Sequence, residues 1–241
     1  MTGSPRALLL DVGGVLVLPH HETVAAALTA AGAGYEPSRL DAAHYAGVAA
    51  IDEPHVQPED RSAVYRAAFV GTLEVPPALR AFASEMLADA FRAPAAWSRP
   101  SRGAVELLRS CEAHGVSVAI VSNWDGTVAR LLADAGICQP GPGPLPSVEV
   151  IVDSALVGWE KPDPRIFGVA LKALATEPAR AIHVGDSVRA DVDGAVAAGV
   201  EPIHLDPFGH CPDRDHAHIA DLVEVASRLG LIMPAVQART T

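Results

Sequence analysis

An aspartate at the end of the first apolar run is the residue of this chain best suited to chemistry. Asp11 follows the run Ala7–Leu10 and leads into the turn Val12–Gly14. A buried strand that delivers one carboxylate into a glycine turn is a common way to present a nucleophile or a metal ligand. Enzymes with this pattern often carry a second carboxylate two positions later, as a proton donor and acceptor. Here that position is Gly13, so the sequence supplies a nucleophile without its usual acid/base partner.

A second strand-like run, Val116–Ser122, ends in the pair Ser122-Asn123. A hydroxyl and an amide at this place can hydrogen-bond the oxygens of a transferring phosphoryl group. The alternative is that the pair forms a turn or caps a helix, which is the usual role of Ser-Asn after a strand. The pair is a candidate anion-binding element only in combination with other motifs.

Lys161 stands in the segment Gly158–Pro164 and is one of only two lysines in the chain, the other being Lys172. The Pro-Asp-Pro that follows it predicts a rigid helix start with Asp163 as the N-cap. The ammonium of Lys161 can screen a nucleophilic carboxylate and an incoming anion, a task for which a bulky guanidinium is a poor substitute. The alternative is a solvated lysine beside a capped helix.

Two further aspartates follow a fourth apolar run. Asp186 comes directly after His183–Gly185, and Asp191 lies five residues later, near the start of the next predicted helix. Hard carboxylate oxygens are the ligands that Mg²⁺ prefers, so both residues together with Asp11 predict a magnesium site. The alternative, that Asp186 only caps the helix, is weaker because Asp11 is expected nearby.

These residues are positioned by an alternation of strand-like and helical patterns, which predicts an α/β fold with a doubly wound parallel sheet. In such sheets ligands bind at the carboxyl ends of the strands, where all the motif residues fall. The predicted strands are Ala7–Asp11, Val116–Ser122, Val148–Asp153, Ala181–Gly185 and Pro202–Leu205; the predicted helices between the later ones are Arg102–His114, Thr127–Ala135, Pro164–Ala175 and Val188–Ala198.

The stretch 19–96 interrupts this alternation with helical patterns at His21–Ala31, Arg61–Leu73 and Ala78–Phe91 and no convincing strand. A single crossover helix would be much shorter, so we expect an inserted helical cap domain that closes over the site. The predicted organisation is an α/β core from residues 1–18 and 97–241 and a cap from residues 19–96. The Pro/Gly-rich segment Gln139–Pro146 is interpreted as a connector.

Composition excludes several classes of function. The 241 residues are 49% hydrophobic and suffice for a full core. A net charge of −11 argues against binding the nucleic-acid backbone. Three cysteines without a Cys-x-x-Cys pair argue against a disulfide framework. No apolar stretch is long enough to span a bilayer. Since Met1–Arg6 shows no secretory signal, we expect a soluble cytoplasmic protein, monomeric or homodimeric, that binds neither nucleic acid nor membranes.

The four motifs, in this order along the chain, resemble those of the haloacid dehalogenase superfamily of hydrolases. The similarity comprises Asp-x-Gly-Gly-Val at 11–15, Ser-Asn at 122–123, Lys-Pro-Asp-Pro at 161–164 and Gly-Asp-Ser-x-x-x-Asp at 185–191, and it extends over essentially the whole chain, cap included. Two segments, Ser122–Asp125 and Gly158–Phe167, resemble in particular a phosphatase-like branch of this superfamily, which often lacks the second aspartate of the first motif.

The resemblance implies a role for each motif residue in a transfer of phosphate. Asp11 would attack phosphorus and form an aspartyl phosphate. Ser122, with Asn123 beside it, would bind the phosphoryl oxygens, and Lys161 would hold nucleophile and phosphate together. The implied substrate is a small phosphorylated molecule, a phosphomonoester.

The resemblance also implies Mg²⁺ as cofactor. Its ligands would be Asp11, Asp186, the backbone carbonyl of Gly13, and Asp191 in the inner or outer coordination shell. A glycine supplies this carbonyl as well as an aspartate would, so the substitution at position 13 leaves the implied metal site intact.

The glycine at position 13 removes a proton-transfer group whose catalytic contribution is typically about 10²–10⁴-fold. We therefore expect slow turnover of alkyl phosphates and a smaller loss with good leaving groups such as aryl or acyl phosphates. His20, His21 and Glu22 follow closely and are candidate substitutes. The favoured interpretation is that these three residues begin the first cap helix.

Two other functions remain open. A 2-haloacid dehalogenase also uses an aspartate nucleophile without the second carboxylate and needs no metal, but Asp186 and Asp191 would then be idle. A catalytically weak protein that binds a ligand or partner is compatible with Gly13, whereas the retained Asp11 and Lys161 favour an enzyme.

A last group of residues has the side-chain types of metal ligands, but its spacing matches no standard zinc pattern. We interpret it as a polar loop that leads to the last helix. The group consists of His210, Cys211, Asp213, Asp215, His216 and His218.

Overall fold

The computed structural model describes residues 7–213 and 215–233. The expectation that Met1–Arg6 carries no secretory signal lies outside these described residues. The chain forms two compact units, which comprise the described residues of Met1–Leu16, Pro100–Pro207 and Asp213–Thr241 in the first and of Val17–Arg99 and Phe208–Pro212 in the second.

The first unit contains a six-stranded sheet in the order β10-β9-β8-β1-β4-β7, and every neighbouring pair is parallel. This confirms the predicted parallel α/β fold. The strands of the described chain are β1 (Ala7–Leu10), β2 (Val17–Leu18), β3 (Arg99–Pro100), β4 (Ser117–Ser122), β5 (Gln139–Pro140), β6 (Ser147–Val148), β7 (Val150–Asp153), β8 (Ala181–Gly185), β9 (Glu201–Leu205) and β10 (Ala217–Ile219).

Helices of the first unit follow the sheet strands, as the alternation predicts. The helices of the described chain are α1 (His21–Ala30), α2 (Leu40–Asp52), α3 (Arg61–Thr72), α4 (Arg80–Ala90), α5 (Ala104–His114), α6 (Val128–Asp134), α7 (Ser154–Val157), α8 (Pro164–Ala173), α9 (Asp193–Ala197) and α10 (Leu222–Leu229).

Helix α8 shows how the sequence fixes an element beside the site. The Asp163 carboxylate accepts a hydrogen bond from the backbone N–H of Arg165 at 3.0 Å, and Pro164 occupies the first turn, where it needs no donor. Ile166 and Phe167 are fully buried in the cluster of apolar side chains that includes Leu9 of β1. The cap therefore begins the helix, and its apolar face packs it onto the sheet.

Strand β1 is buried over its whole length, with Leu8, Leu9 and Leu10 fully inaccessible. The strand lies between β8 and β4, and helices pack around the sheet. Both faces of β1 are therefore buried, which explains why its sequence is a continuous apolar run and not an alternating one. Such a strand ends where the first polar side chain appears, and that residue is Asp11.

The second unit is built around the helices α1 to α4. Its core packs Leu28, Leu40, Phe69, Leu73 and Leu87 from all four helices or the residues that end them. The sequence patterns predicted three of these helices and missed α2. No helix among the described residues is both long and apolar enough to cross a membrane.

Several elements of the first unit differ from the sequence prediction, among them β10, a strand that begins within the segment 210–218 expected to be a polar loop. The expected single helix Val188–Ala198 is a π-helical turn (Val188–Val192) followed by α9. The expected connector Gln139–Pro146 contains β5 and leads into β6, and these two short strands pair in parallel.

Candidate active site

Three of the predicted residues lie at the carboxyl ends of the central strands, at the same end of the sheet. Asp11 follows β1, Ser122 ends β4, and Asp186 follows β8. The backbone N–H of Asp11 still donates to the Val184 carbonyl at 2.9 Å, so the residue is held at the strand end. Gly14, with a φ of 70°, then turns the chain away in a conformation that other residues rarely adopt.

Lys161 lies at the centre of this group and is buried, with 3% of the residue exposed. Its Nζ atom lies 2.6 Å from Asp11 Oδ1 and 2.6 Å from Asp191 Oδ1. The ammonium therefore bridges two carboxylates from different elements, one after β1 and one within the π-helical turn that follows β8. The solvated lysine that the sequence left open is wrong.

The side chain of Asn123 holds the backbone of Lys161. Its Nδ2 donates to the Lys161 carbonyl at 2.9 Å, and its Oδ1 accepts from the Lys161 N–H at 2.7 Å. Two hydrogen bonds to one residue fix the direction in which the lysine stem leaves the chain. In this structure the Asn123 amide positions Lys161.

Asp191 is placed by a close approach to the end of β8. A Cβ atom at Gly185 would lie only 2.0 Å from the Asp191 Cγ, so only glycine allows this contact. Asp191 Oδ2 accepts from the Ser187 N–H at 3.1 Å, and Oδ1 accepts from His183 Nε2 at 2.8 Å as well as from Lys161. The π-helical turn after Ser187 turns Asp191 back towards the sheet.

Two residues that support the site were not predicted. Asp153, at the end of β7, pairs with Ser122 in the sheet register and accepts from the Gly126 and Val128 N–H groups at 2.9 and 3.3 Å. It therefore fixes the turn that follows Ser122-Asn123. His183 is fully buried in β8, where a polar residue inside an apolar run was the only available signal.

The site carries more negative than positive charge. Three buried carboxylates (Asp11, Asp186 and Asp191) face one lysine. Lys161 and the hydrogen bond from His183 outweigh burial and hold the pKa of Asp191 below its usual range, and the two carboxylates raise the pKa of Lys161 against the effect of burial. Burial, opposed by Lys161 and reinforced by Asp191 and Asp186, raises the pKa of Asp11 to about 7. Of the two aspartates that contact Lys161, Asp11 is therefore the one whose charged form is disfavoured.

The same carboxylates fit a hard divalent cation. Asp11, Asp186 and Asp191 each offer one oxygen, and these atoms all lie within 4.8 Å of one another. Oxygen-only donor sets suit Mg²⁺, Ca²⁺ or Mn²⁺, and a divalent ion would neutralise the excess charge. Both Asp191 oxygens already accept hydrogen bonds from the protein, so a direct contact of Asp191 with the cation would compete with them.

Position 13 has room for a side chain. A Cβ atom on Gly13 would meet no atom within 4 Å, and the backbone there is not in the left-handed region. The glycine is therefore not demanded by local packing or backbone geometry.

The suggested substitute acid/base residues lie at the beginning of α1. His20 precedes its first residue, His21 and Glu22 occupy its first turn, and His21 Nδ1 lies 3.3 Å from the hydroxyl of Tyr35 in the same unit. These positions agree with the favoured interpretation that the three residues begin a helix.

Comparisons with known proteins agree on one family for this chain. A family model described as haloacid dehalogenase-like hydrolase matches residues 5–199. Haloacid dehalogenase-like hydrolase domain-containing protein 3 of Bos taurus is 35% identical over 130 residues, 52% of this chain and 49% of that protein. Phosphoglycolate phosphatase of Caulobacter vibrioides is 31% identical over 126 residues, 52% of this chain and 50% of that protein. The chain thus spans about half the length of the curated relatives it matches.

A solved structure shares the fold. The putative HAD-hydrolase YfnB of Bacillus subtilis, bound to magnesium, aligns with a TM-score of 0.60 at 19% identity and covers 95% of this chain and 100% of its own.

Replacement of Asp11 by asparagine should stabilise the metal-free protein, and more so at pH 8 than at pH 5. The raised pKa means that folding favours the protonated carboxyl, so stability is lost as the pH rises from about 4 to about 7. The neutral amide avoids this loss of stability. A pKa shift of the size found for Asp11 corresponds to at most about 4 kcal/mol in the free energy of unfolding. Thermal unfolding of both proteins in chelator at the two pH values measures the difference, and an equal effect at both pH values would contradict the charge assignment.

Proposed function

Because the chain belongs to the haloacid dehalogenase-like hydrolase family, we propose that it is a Mg²⁺-dependent phosphatase that hydrolyses a small phosphomonoester through an aspartyl phosphate at Asp11. The contact that supports this most directly is the 2.6 Å separation of the buried Lys161 ammonium from Asp11 Oδ1. This arrangement places a nucleophile beside a fixed cation, with two more carboxylates close by. It suits a reaction in which a carboxylate and a phosphate ester, both negatively charged, must approach each other. The phosphoglycolate phosphatase among the relatives supports a phosphate ester as substrate.

In the proposed reaction an Asp11 oxygen attacks phosphorus, a new O–P bond forms, and the bond to the leaving oxygen breaks. Lys161 attracts both the nucleophile and the phosphoryl oxygens, which keeps the two anions together. The Ser122 hydroxyl, at the end of the neighbouring strand, donates to a phosphoryl oxygen. Water then cleaves the acyl phosphate, which returns Asp11 and releases phosphate.

The metal site would be formed by Asp11, Asp186 and the Gly13 carbonyl, with Asp191 in contact through water. A bound Mg²⁺ would supply electrostatic stabilisation of the phosphoryl oxygens. Asp191 has a second role in this proposal, because its carboxylate lies 2.6 Å from the Lys161 ammonium and holds it in place.

The proposal assigns protonation of the leaving group to solvent, since position 13 carries no acid. Good leaving groups need little protonation, so aryl and acyl phosphates are the favoured substrates. We further propose that the helical unit, predicted as residues 19–96, is a cap domain that selects the substrate. A dehalogenase would leave Asp186 without a task, and the test below distinguishes it.

Magnesium should raise the melting temperature, and the increase should be larger at pH 8 than at pH 6. The pKa of Asp11 is about 7 in the metal-free protein, because burial, Asp191 and Asp186 outweigh Lys161, and a protonated carboxyl binds a cation poorly. At 100 times the dissociation constant the stabilisation is about 2.7 kcal/mol. Differential scanning fluorimetry measures it. Asp186→Asn is the matched variant, and an unchanged magnesium response in that variant would remove Asp186 from the site.

The wild type should hydrolyse an aryl phosphate in the presence of Mg²⁺, and Asp11→Asn should abolish this activity because an amide cannot attack phosphorus. Phosphate release with and without chelator is the measurement. The Asp11→Asn protein is isosteric, and its thermal unfolding shows whether it is folded. Full activity of the variant would refute the nucleophile; chloride release from a 2-chloro acid in chelator would identify a dehalogenase.

Gly13→Asp should accelerate hydrolysis of alkyl phosphates by about 10²-fold or more and that of aryl phosphates much less. The new carboxyl would supply the missing proton to a poor leaving group, and the open space at Gly13 admits it. Comparison of kcat for both esters gives the selective effect, with Gly13→Asn as the control that fills the space without an acid. Equal acceleration by both variants would contradict an acid/base role.

A further inference from the structure

Three histidines meet at the far edge of the sheet, on the β9 and β10 strands and the residues next to them. His204 of β9 and His218 of β10 are direct partners in the parallel register, so their side chains lie side by side. His216 is two residues before His218, and alternate residues of an extended chain share a face. The ring centroids of His216 and His218 lie 4.6 Å apart, and those of His204 and His218 lie 5.1 Å apart.

One ring nitrogen of His204 and one of His216 are already used as donors. His204 Nε2 lies 3.0 Å from the Asp186 carbonyl oxygen, which can only accept. His216 Nδ1 lies 2.7 Å from Asp215 Oδ1, a carboxylate. In a neutral imidazole the other nitrogen is then an acceptor, the form that binds a metal ion. Orientation of a ligand histidine by an oxygen at its second nitrogen is the usual arrangement in metal sites.

The two remaining nitrogens face each other. His216 Nε2 lies 3.4 Å from His204 Nδ1. Two ring nitrogens at this distance are held together by a proton or by a metal cation between them. Two nitrogens bound to one Zn²⁺ at 2.0–2.1 Å in tetrahedral geometry are about 3.3–3.4 Å apart, so the spacing is that of two neighbouring zinc ligands.

His218 completes the arrangement. Its Nδ1 lies 3.7 Å from Asp206 Oδ2, and a ring nitrogen from each of the three histidines lies within 4.8 Å of the others. Asp206 and Asp215 thus each place a carboxylate against one histidine of the group.

We propose that His204, His216 and His218 bind a Zn²⁺ ion at the β9–β10 edge, in a site distinct from the proposed Mg²⁺ site. Imidazole nitrogens suit zinc and not magnesium, whereas the three aspartates show the opposite preference. The polar-loop interpretation of residues 210–218 did not include His204, because that residue lies outside the segment, in β9.

Metal analysis of the untagged, full-length protein tests the proposal directly. After incubation with Zn²⁺ and removal of unbound metal, mass spectrometry should find one zinc ion per chain. His204→Ala and His216→Ala should each weaken binding by more than about 100-fold, because loss of a ligand costs more than the 10–100-fold typical of its outer partners. Asp215→Asn should give that smaller loss, since it only releases the His216 ring.

Two controls separate the site from other histidines and from the active site. His55→Ala removes an exposed histidine of the helical unit and should leave zinc binding unchanged. Asp186→Asn alters the proposed magnesium ligand but keeps the backbone carbonyl that His204 contacts, so it should also retain zinc.

Cobalt substitution keeps the proposal falsifiable if an alanine variant fails to fold. Co²⁺ bound to the wild type should show the intense visible absorption of a tetrahedral site, and Zn²⁺ should displace it. Absence of bound zinc in the folded wild type would overturn the proposal, since the histidine pair would then share a proton. Zinc binding that survives in folded His204→Ala and His216→Ala proteins would overturn it as well.

Discussion

The buried ammonium of Lys161 lies within 2.6 Å of two carboxylates, and this ion-pair network organises the end of the sheet. Removing a charge from water costs several kcal/mol, which only close and well-aligned partners offset. Asp11 supplies one partner and Asp191 the other, each at 2.6 Å. To bring them there, β1 must be central, β8 must end in a glycine, and the lysine backbone must be clamped by Asn123.

The two carboxylates that share this ammonium are not equivalent. Asp191 also accepts hydrogen bonds from His183 and from the Ser187 backbone, so its charge is fully compensated and its position fixed. Asp11 has the lysine as its charged partner and faces two other carboxylates, which together with burial raises its pKa. The network thus immobilises one aspartate and disfavours the charged form of the other, which is the one that follows the central strand.

The sequence predicted the elements whose signal is local and missed those that depend on tertiary contacts. Apolar runs that end in a polar residue located Asp11, Ser122 and Asp186 because buried parallel strands read as continuous hydrophobic segments. Strand β10 was missed because its three residues include a histidine and form a strand only by pairing with β9. His183 and His204 were missed for a related reason: their partners, Asp191 and the Asp186 carbonyl, come from other elements and are brought near only by the fold.

The open space beside Gly13 affects how this chain can change during evolution. Glycine and aspartate codons can differ by a single nucleotide, and no neighbouring atom or backbone conformation opposes the larger residue. A lineage that carries glycine here can therefore gain or lose the carboxylate in one mutational step, without compensating substitutions in the core. Position 13 is for this reason a site where related sequences can diverge in chemistry while the surrounding fold remains the same.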